Sequence, residues 1–239
     1  DLVTGVQTCA LPIFHLYITA EGPTEREFAL KILRPHLAQY HVFVAARGVL
    51  TSKDKRAGRQ YRGGLTNYLK AKNDIQTWLK EDRRTNCRFS TMFDFYALPN
   101  DFPAFAQAKD YADPYHKIAC LEAALAQDIG DSRFIPYIQL HEFEALILAD
   151  AQKLDWEYLE HDRAIANLIA MVGDTCPELI NDGAETAPSK RILKQIPEYD
   201  KVTAGWTVVE QIGLATLRHK CPHFNEWLTR LEQLGATGE

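Results

Sequence analysis

Strand-like and helix-like segments alternate through the first 150 residues of this 239-residue chain. The segment 14–20 is rich in aromatic and β-branched residues and stops at Glu-Gly-Pro, which is typical of a buried strand that ends in a turn. Further strands are predicted over 41–46, 87–93 and 134–140, and helices over 24–38, 65–79, 115–127 and 141–149. Because this alternation is typical of a mostly parallel sheet flanked by helices, we expect an α/β domain over residues 14–150.

The rest of the chain has helical periodicity and little strand signal. Helices are predicted over 157–172, 188–196, 205–217 and 222–234. We therefore expect a helical C-terminal portion, residues 151–239, that packs on the sheet. Trp156, Trp206 and Trp227 lie among apolar helical positions and are predicted to be core residues.

The first thirteen residues are expected to lie outside the fold. They lack a Met start, a basic segment and a long apolar segment, so they do not form a signal peptide. The string DLVTGVQTCALPI resembles a translated sequencing-adapter read-through. We interpret residues 1–13 as a non-native, disordered extension; an ordinary native extension is the alternative.

Charge and cysteine content limit the classes of partner. The net charge is −5 and the pI is about 5.9, so a site for a polyanion must be local. The five cysteines form no Cys-x-x-Cys pair, which favours reduced thiols in a cytoplasmic protein. Charged residues interrupt every apolar run before about 18 residues, so a membrane role is not expected. Sequence patterns of serine hydrolases and zinc proteases are absent.

The segment 47–64 is the local basic region, with six Lys or Arg residues and a single Asp. Its four glycines predict a loop. Its side chains would neutralise backbone phosphates, while Tyr61 or Tyr68 offers a stacking surface. The predicted phosphate contacts are Lys53, Lys55, Arg56, Arg59 and Arg62. The alternative is an ordinary solvated surface.

Acidic residues follow three of the predicted strands. Glu21 follows the first, Asp94 the third, and His141, Glu142 and Glu144 the fourth. Function in an open α/β sheet concentrates at the carboxyl ends of strands, and crowded carboxylates are stabilised by a divalent cation. Oxygen ligands favour Mg²⁺ or Mn²⁺ over zinc. Each residue also has a structural interpretation as a turn or exposed helix residue, and Glu25 suits the first turn of a helix.

Several ordered blocks resemble known families. The run Ile-Thr-Ala-Glu-Gly-Pro-Thr-Glu at 18–25 resembles the V-E-G-x-T-E opening of Toprim-like proteins of the overcoming-lysogenization-defect nucleases. The blocks at 91–99, 101–103, 141–146, 187–191, 212–214 and 221–224 resemble the bacterial domain-of-unknown-function 4276 family. Together they span nearly everything from residue 14 to residue 231.

This resemblance implies a Toprim-like α/β domain that uses Mg²⁺ for phosphodiester chemistry in phage defence or DNA repair. It also implies a partner ATPase of the ABC or SMC type. Glu21 matches the general acid or base of the Toprim pattern, and Asp94 matches the first residue of its Asp-x-Asp pair. Tyr96 stands where the second Asp is expected. Asp101, or Glu142 and Glu144, would then supply the missing oxygen.

We therefore hypothesise a Mg²⁺-dependent nuclease, or nuclease subunit, that acts on nucleic acid, most simply DNA. Glu21, Asp94 and Glu144 would hold one or two ions that polarise the phosphate and activate water. Lys190 or Arg191 would offset the developing charge, and His141 would orient a carboxylate, donate to a phosphate, or serve only as a polar strand-end residue. The alternatives are a catalytically degenerate adaptor that binds nucleic acid or a partner ATPase, and a phosphatase-like hydrolase.

Overall fold

The chain folds into a small parallel sheet with helices on both faces and a helical C-terminal part. The computed structural model describes residues 13–54, 59–62, 65, 67–180 and 186–236. The strands are β1 (Phe14–Ala20), β2 (Val42–Gly48), β3 (Leu50–Asp54), β4 (Arg59–Arg62), β5 (Cys87–Asp94), β6 (Phe134–Ile135) and β7 (Ile138–Gln139). The helices are α1 (Pro23–Phe28), α2 (Arg34–Ala38), α3 (Tyr68–Glu81), α4 (Phe105–Ala108), α5 (Pro114–Ile129), α6 (Glu144–Ile147), α7 (Asp162–Val172), α8 (Pro188–Gln195), α9 (Lys201–Ile212), α10 (Leu214–Lys220) and α11 (Pro222–Glu232).

The main sheet has the strand order β2-β1-β5-β6, and β7 also pairs with β5. All of these pairs are parallel. The strand β1 therefore lies in the centre, and its carboxyl end is next to that of β5. This architecture confirms the predicted α/β fold with a helical C-terminal portion.

Alternation along β1 separates two hydrophobic clusters on opposite faces of the sheet. Leu16 and Ile18 point into a cluster shared with the C-terminal helices, whereas Tyr17 packs against the cluster around α3 and α5. In β5, Met92 belongs to the first cluster and Phe93 to the second. This period of two is what a strand buried on both faces requires.

The predicted strand 134–140 is interrupted. Pro136 lies between β6 and β7, and proline cannot donate a ladder hydrogen bond. The buried hydroxyl of Thr91 compensates, since it accepts from the Tyr137 amide and donates to the Tyr137 carbonyl, both at 3.0 Å. A side chain on the neighbouring strand thus satisfies the backbone where the edge strand is broken.

The prediction that 47–64 forms a loop is wrong. The strand β2 continues to Gly48, and β3 and β4 pair in an antiparallel hairpin. Of the four glycines, Gly48 ends β2, and Gly58, Gly63 and Gly64 lie outside the described residues.

Two predictions for the C-terminal part also need correction. The helix predicted over 205–217 begins earlier, at Lys201, and is divided by Gly213, whose φ of 79° is outside the helical range. The side chain of Trp156 is not in the core, because the residue is 63% exposed, whereas Trp227 is buried. Trp156 ends a 3₁₀ segment that follows α6.

The helix predicted over 24–38 is present, but its hydrogen-bonding pattern changes from α to π and back to α. A π-helical turn over Ala29–Leu33 separates α1 from α2, and Pro35 lies in the first turn of α2. Proline at this position lacks the N–H that would bond to the preceding turn, so the wider turn accommodates it. In the ranges that the structure describes, no helix is both long and apolar enough to span a bilayer.

Candidate functional site

The carboxyl ends of β1 and β5 bring Glu21 and Asp94 together. The Glu21 amide donates to the Met92 carbonyl at 2.9 Å, which holds the end of β1 against β5. The Glu21 carboxylate in turn accepts from the Asp94 amide at 3.0 Å. These two residues meet because their strands are neighbours in a parallel sheet.

Lys201 connects three buried carboxylates. Its Nζ lies 2.7 Å from Asp94 Oδ2, 2.9 Å from Glu25 Oε1 and 3.5 Å from Glu144 Oε2. The three carboxylate residues are each less than 5% exposed. We call Glu21, Glu25, Asp94, Glu144 and Lys201 the carboxylate cluster.

The helix α9 carries Lys201 into the cluster. The Asp200 side chain caps this helix by accepting from the amides of Val202 and Thr203. The Thr24 hydroxyl on α1 donates to the Lys201 carbonyl at 3.1 Å. Gly205 permits the close approach, since a Cβ atom there would lie 2.8 Å from the Thr24 methyl group.

Glu25 has two roles. One carboxylate oxygen accepts from the Gly22 amide at 2.9 Å at the start of α1, as expected for a first-turn carboxylate. The other oxygen contacts Lys201. Glu25 therefore caps α1 as expected and is also a member of the carboxylate cluster.

The cluster has more potential negative charge than Lys201 can neutralise. Burial raises the pKa of Asp94 to about 6 and that of Glu144 to about 7, against the opposing effect of Lys201. Burial, followed by the charges of Asp94 and Glu25, raises the pKa of Glu21 well above its usual value. Burial alone would lower the pKa of Lys201, but the surrounding carboxylates hold it well above its usual value. Such shifts are common at functional sites.

The donor set matches a divalent cation in chemistry but not in the observed arrangement. Buried carboxylate oxygens with excess negative charge are what a hard cation binds. Within the described ranges, however, no three Asp, Glu, His or Cys side chains are placed to share one ion. The Lys201 ammonium lies among the carboxylates instead. Residues that would hold Mg²⁺ are therefore present, and Lys201 would have to move for them to do so.

Other predicted site residues lie outside this arrangement. The Asp101 carboxylate accepts from the Tyr68 amide at the start of α3, so it caps that helix instead of supplying the missing oxygen. The Glu142 carboxylate accepts from the Ser189 amide at 2.9 Å at the start of α8. Lys190 is exposed on α8. The cation that contacts the carboxylates in the described part of the chain is Lys201.

His141 and Tyr96 lie next to the cluster. The Tyr96 amide donates to the His141 carbonyl at 3.1 Å, and the two ring centroids are 5.5 Å apart. Burial, followed by the charge of the Lys117 ammonium group, lowers the pKa of His141 to about 4. A hydrogen-bond interaction with the backbone of Glu178 has a smaller effect in the opposite direction. The imidazole is therefore neutral at pH 7.

The predicted phosphate contacts of the basic segment cannot be placed at this site. Lys55 and Arg56 lie outside the described residues. Lys53, Arg59 and Arg62 lie on β3 and β4, and their side chains are outside the described part of the structure.

Sequence reasoning missed Lys201. A signal was present, since Asp200 followed by a polar residue and an apolar helical pattern is typical of a helix N-terminus. The predicted start at residue 205 placed Lys201 outside the helix. Even a correct start would not have revealed its partners, because 107 residues separate it from Asp94.

Comparison with family models identifies the family. The model described as "Domain of unknown function (DUF4276)" matches residues 20–232. The chain therefore belongs to this family, as the ordered blocks suggested. Neither the curated proteins nor the solved structures yielded a match.

Proposed function

We propose that this protein is a Mg²⁺-dependent phosphodiesterase of the Toprim-like type, a nuclease or nuclease subunit that acts on nucleic acid. The observation that carries the proposal is the carboxylate cluster at the adjoining ends of β1 and β5. It contains four carboxylates and one ammonium group, which contacts three of them, and the pKa values of Glu21, Asp94 and Glu144 are raised. A divalent cation would relieve this excess of negative charge.

Glu21, Asp94 and Glu144 are the residues that would hold the ion, with Glu25 beside them. When bound, Mg²⁺ supplies a Lewis acid for a phosphate oxygen and lowers the pKa of a water molecule. Burial raises the pKa of Glu21 well above its usual value, which suits a carboxyl group that exchanges a proton during the reaction. Displaced from the carboxylates, the Lys201 ammonium would be available to offset negative charge on a phosphate.

A role in phage defence, a cytoplasmic location and a partner ATPase of the ABC or SMC type are parts of the proposal that rest on the resemblance to the Toprim-like nucleases. The basic segment 53–62 is the proposed contact for the nucleic-acid backbone. Binding through it should weaken steeply with salt, because each neutralised phosphate releases counterions.

A catalytically degenerate adaptor is the second candidate. It is favoured by Lys201, which already neutralises part of the cluster, and by Tyr96 at the position of the second Asp. In this case the cluster would be a structural ion-pair network, and the protein would bind nucleic acid or a partner ATPase without cutting.

The test measures DNA cleavage and cation binding in parallel. Supercoiled and linear DNA are incubated with the protein in Mg²⁺ or Mn²⁺, and cation binding is followed by calorimetry. We expect cleavage by the unchanged protein and its loss in Glu21→Gln and Asp94→Asn. Asp101→Asn is the matched control, because it makes the same substitution in the segment that follows β5 but leaves the cluster intact.

The outcomes separate the candidates. Cleavage that persists in both cluster variants would assign the activity to another site. Absence of both cation binding and cleavage, with nucleic acid or an ATPase still bound, would support the adaptor.

A further inference from the structure

A pocket of about 280 Å³ lies beside the carboxylate cluster. We call it the His141 pocket; its principal lining residues are Phe95, Tyr96, Lys117, Ile118, Leu140 and His141. The same two loops build the pocket and the cluster. Asp94, the last residue of β5, enters the cluster and the next two residues line the pocket. After β7, His141 lines the pocket and Glu144 enters the cluster. The pocket therefore adjoins the site of the proposed chemistry.

His141 is an unusual residue for a purely structural position. It is only 5% exposed, yet neither ring nitrogen forms a hydrogen bond of normal geometry with another described group. Its φ of 60° lies in the left-handed region, which costs a non-glycine residue about 1 kcal/mol. The Glu178 backbone is a poorly aligned partner for this ring, and leaving a buried polar group unsatisfied costs roughly 1–3 kcal/mol. Costs of this kind persist mainly where a ligand or a reaction requires the conformation.

The walls of the pocket combine aromatic, apolar and polar surfaces. Phe95 and Tyr96 supply rings, and Ile118 and Leu140 supply apolar contacts. The two ring nitrogens of His141 can form hydrogen bonds with the donor and acceptor groups along the edge of a nucleobase. Lys117 adds a positive charge at the same pocket.

We propose that the His141 pocket binds a nucleobase of the substrate. This inference rests on the proposed function, because it places the base next to the carboxylates that would act on its phosphodiester. The volume is just below the usual range for ligand pockets, about 300–1,000 Å³, and therefore suits a single ring system. A simple anion fits less well, since a single lysine is the charged group among the lining residues and two aromatic rings form part of the wall.

The proposal can be tested without catalysis. In EDTA, the protein is titrated with AMP, GMP, CMP and dTMP, and with ribose 5-phosphate as a probe that lacks a base. The ¹³C-labelled His141 ring is followed by NMR, and the affinity is measured by calorimetry. We expect at least one mononucleotide to shift the His141 signal and ribose 5-phosphate to leave it unchanged. A single-stranded oligonucleotide and a blunt duplex distinguish a free nucleotide from an accessible base in a strand.

Two variants locate the binding. His141→Asn retains a residue that tolerates the left-handed conformation but removes the imidazole. Tyr96→Ala removes a half-exposed ring and does not depend on refolding of the core. We expect each to weaken mononucleotide binding about tenfold, the size of one lost base-stacking contact. Tyr111→Ala, which removes an exposed tyrosine outside the pocket, should leave the affinity unchanged.

The two proposals fail separately. Equal binding of ribose 5-phosphate and AMP, or affinities unaffected by both pocket variants, would overturn the nucleobase site even if the protein cleaves DNA. Nucleobase binding that survives in Asp94→Asn would support the pocket even if no cleavage occurs.

Discussion

Lys201 carries one positive charge into contact with three buried carboxylates. The contact at 2.7 Å to Asp94 is a charge-assisted hydrogen bond, which is stronger than one between neutral groups, and the contact at 2.9 Å to Glu25 is an ion pair. They make burial of the carboxylates tolerable, although Asp94 and Glu144 still have raised pKa values. One side chain therefore determines both the stability and the electrostatics of the cluster.

Replacement of Lys201 by Met should destabilise the protein in a pH-dependent way. Removing one member of a buried ion pair leaves uncompensated charge, so we expect a loss on the order of 3 kcal/mol at pH 8. The loss should be smaller at pH 5, below the raised pKa values of Asp94 and Glu144, because protonated carboxyls no longer repel. Urea unfolding at the two pH values measures both effects.

Lys190→Met is the control for this prediction. It removes an exposed lysine of α8, and its effect should stay within about 0.5 kcal/mol. An equal loss of stability in Lys201→Met at pH 5 and pH 8 would contradict the electrostatic explanation.

The helices α5 and α11 are joined by a His-Glu pair. His223 Nε2 lies 3.1 Å from a Glu122 oxygen that also accepts from the Ile138 amide at 2.8 Å. At the start of α11, the Glu178 carboxylate accepts from the amides of His223 and Phe224. Burial alone would lower the pKa of His223, but its hydrogen bond to Glu122 raises it above the usual value.

This pair should contribute stability that decreases as the pH rises. Because the folded-state pKa of His223 is raised, its contribution is complete below the unfolded pKa of about 6.5 and is lost as the pH passes through the folded-state pKa. We expect His223→Gln to be less stable than the unchanged protein by about 1 kcal/mol at pH 6, and by less at pH 9. Denaturant titrations from pH 6 to pH 9 measure the difference.

His116→Gln provides the comparison, since His116 pairs with Asp113 at the surface and is largely exposed. Its effect should be small at every pH. If the loss of stability in His223→Gln instead grew between pH 6 and pH 9, the pKa of His223 would be lowered in the folded state, and the prediction would be wrong.

At the scale of the whole molecule, one hydrophobic cluster contains residues from both the α/β part and the C-terminal helices. Leu16 and Phe28 from the first part belong to the same buried cluster as Phe224 and Trp227. Polar contacts reinforce the connection, since His36 Nε2 lies 2.6 Å from Glu232 Oε1. The α/β part therefore depends on the C-terminal helices to cover one face of its sheet.

A fragment limited to residues 14–150 should not fold on its own. Without the C-terminal helices, the apolar side chains of β1 and α1 would be exposed to water, a loss that a domain of this size does not compensate. We expect the fragment to bind a hydrophobic dye and to lack a cooperative thermal transition by circular dichroism. The complete chain should unfold in one transition; a cooperative transition in the fragment would show that the two parts are independent.

Local patterns in the sequence predicted much of the fold. The runs that form β1 and β5 are apolar and end at turn residues, and this information is contained in adjacent residues. The same patterns placed Glu21 and Asp94 at strand ends, and a parallel sheet brings such ends to one edge. The meeting of these two residues was therefore predictable once the strands were identified.

The hydrogen bonding that compensates for the break between β6 and β7, and the position of Lys201, were decided by tertiary structure. The first depends on the hydroxyl of Thr91, which lies on another strand, and the second on the packing of α9 against α1. Local sequence reports backbone preference and which face is apolar, because those depend on near neighbours. Which charged side chains come into contact depends on how helices that are far apart in the sequence pack together. No pattern within a few residues contains this information. The sequence alone thus determined the types of most elements and the acidic residues at the strand ends. Tertiary packing determined which lysine lies against those carboxylates.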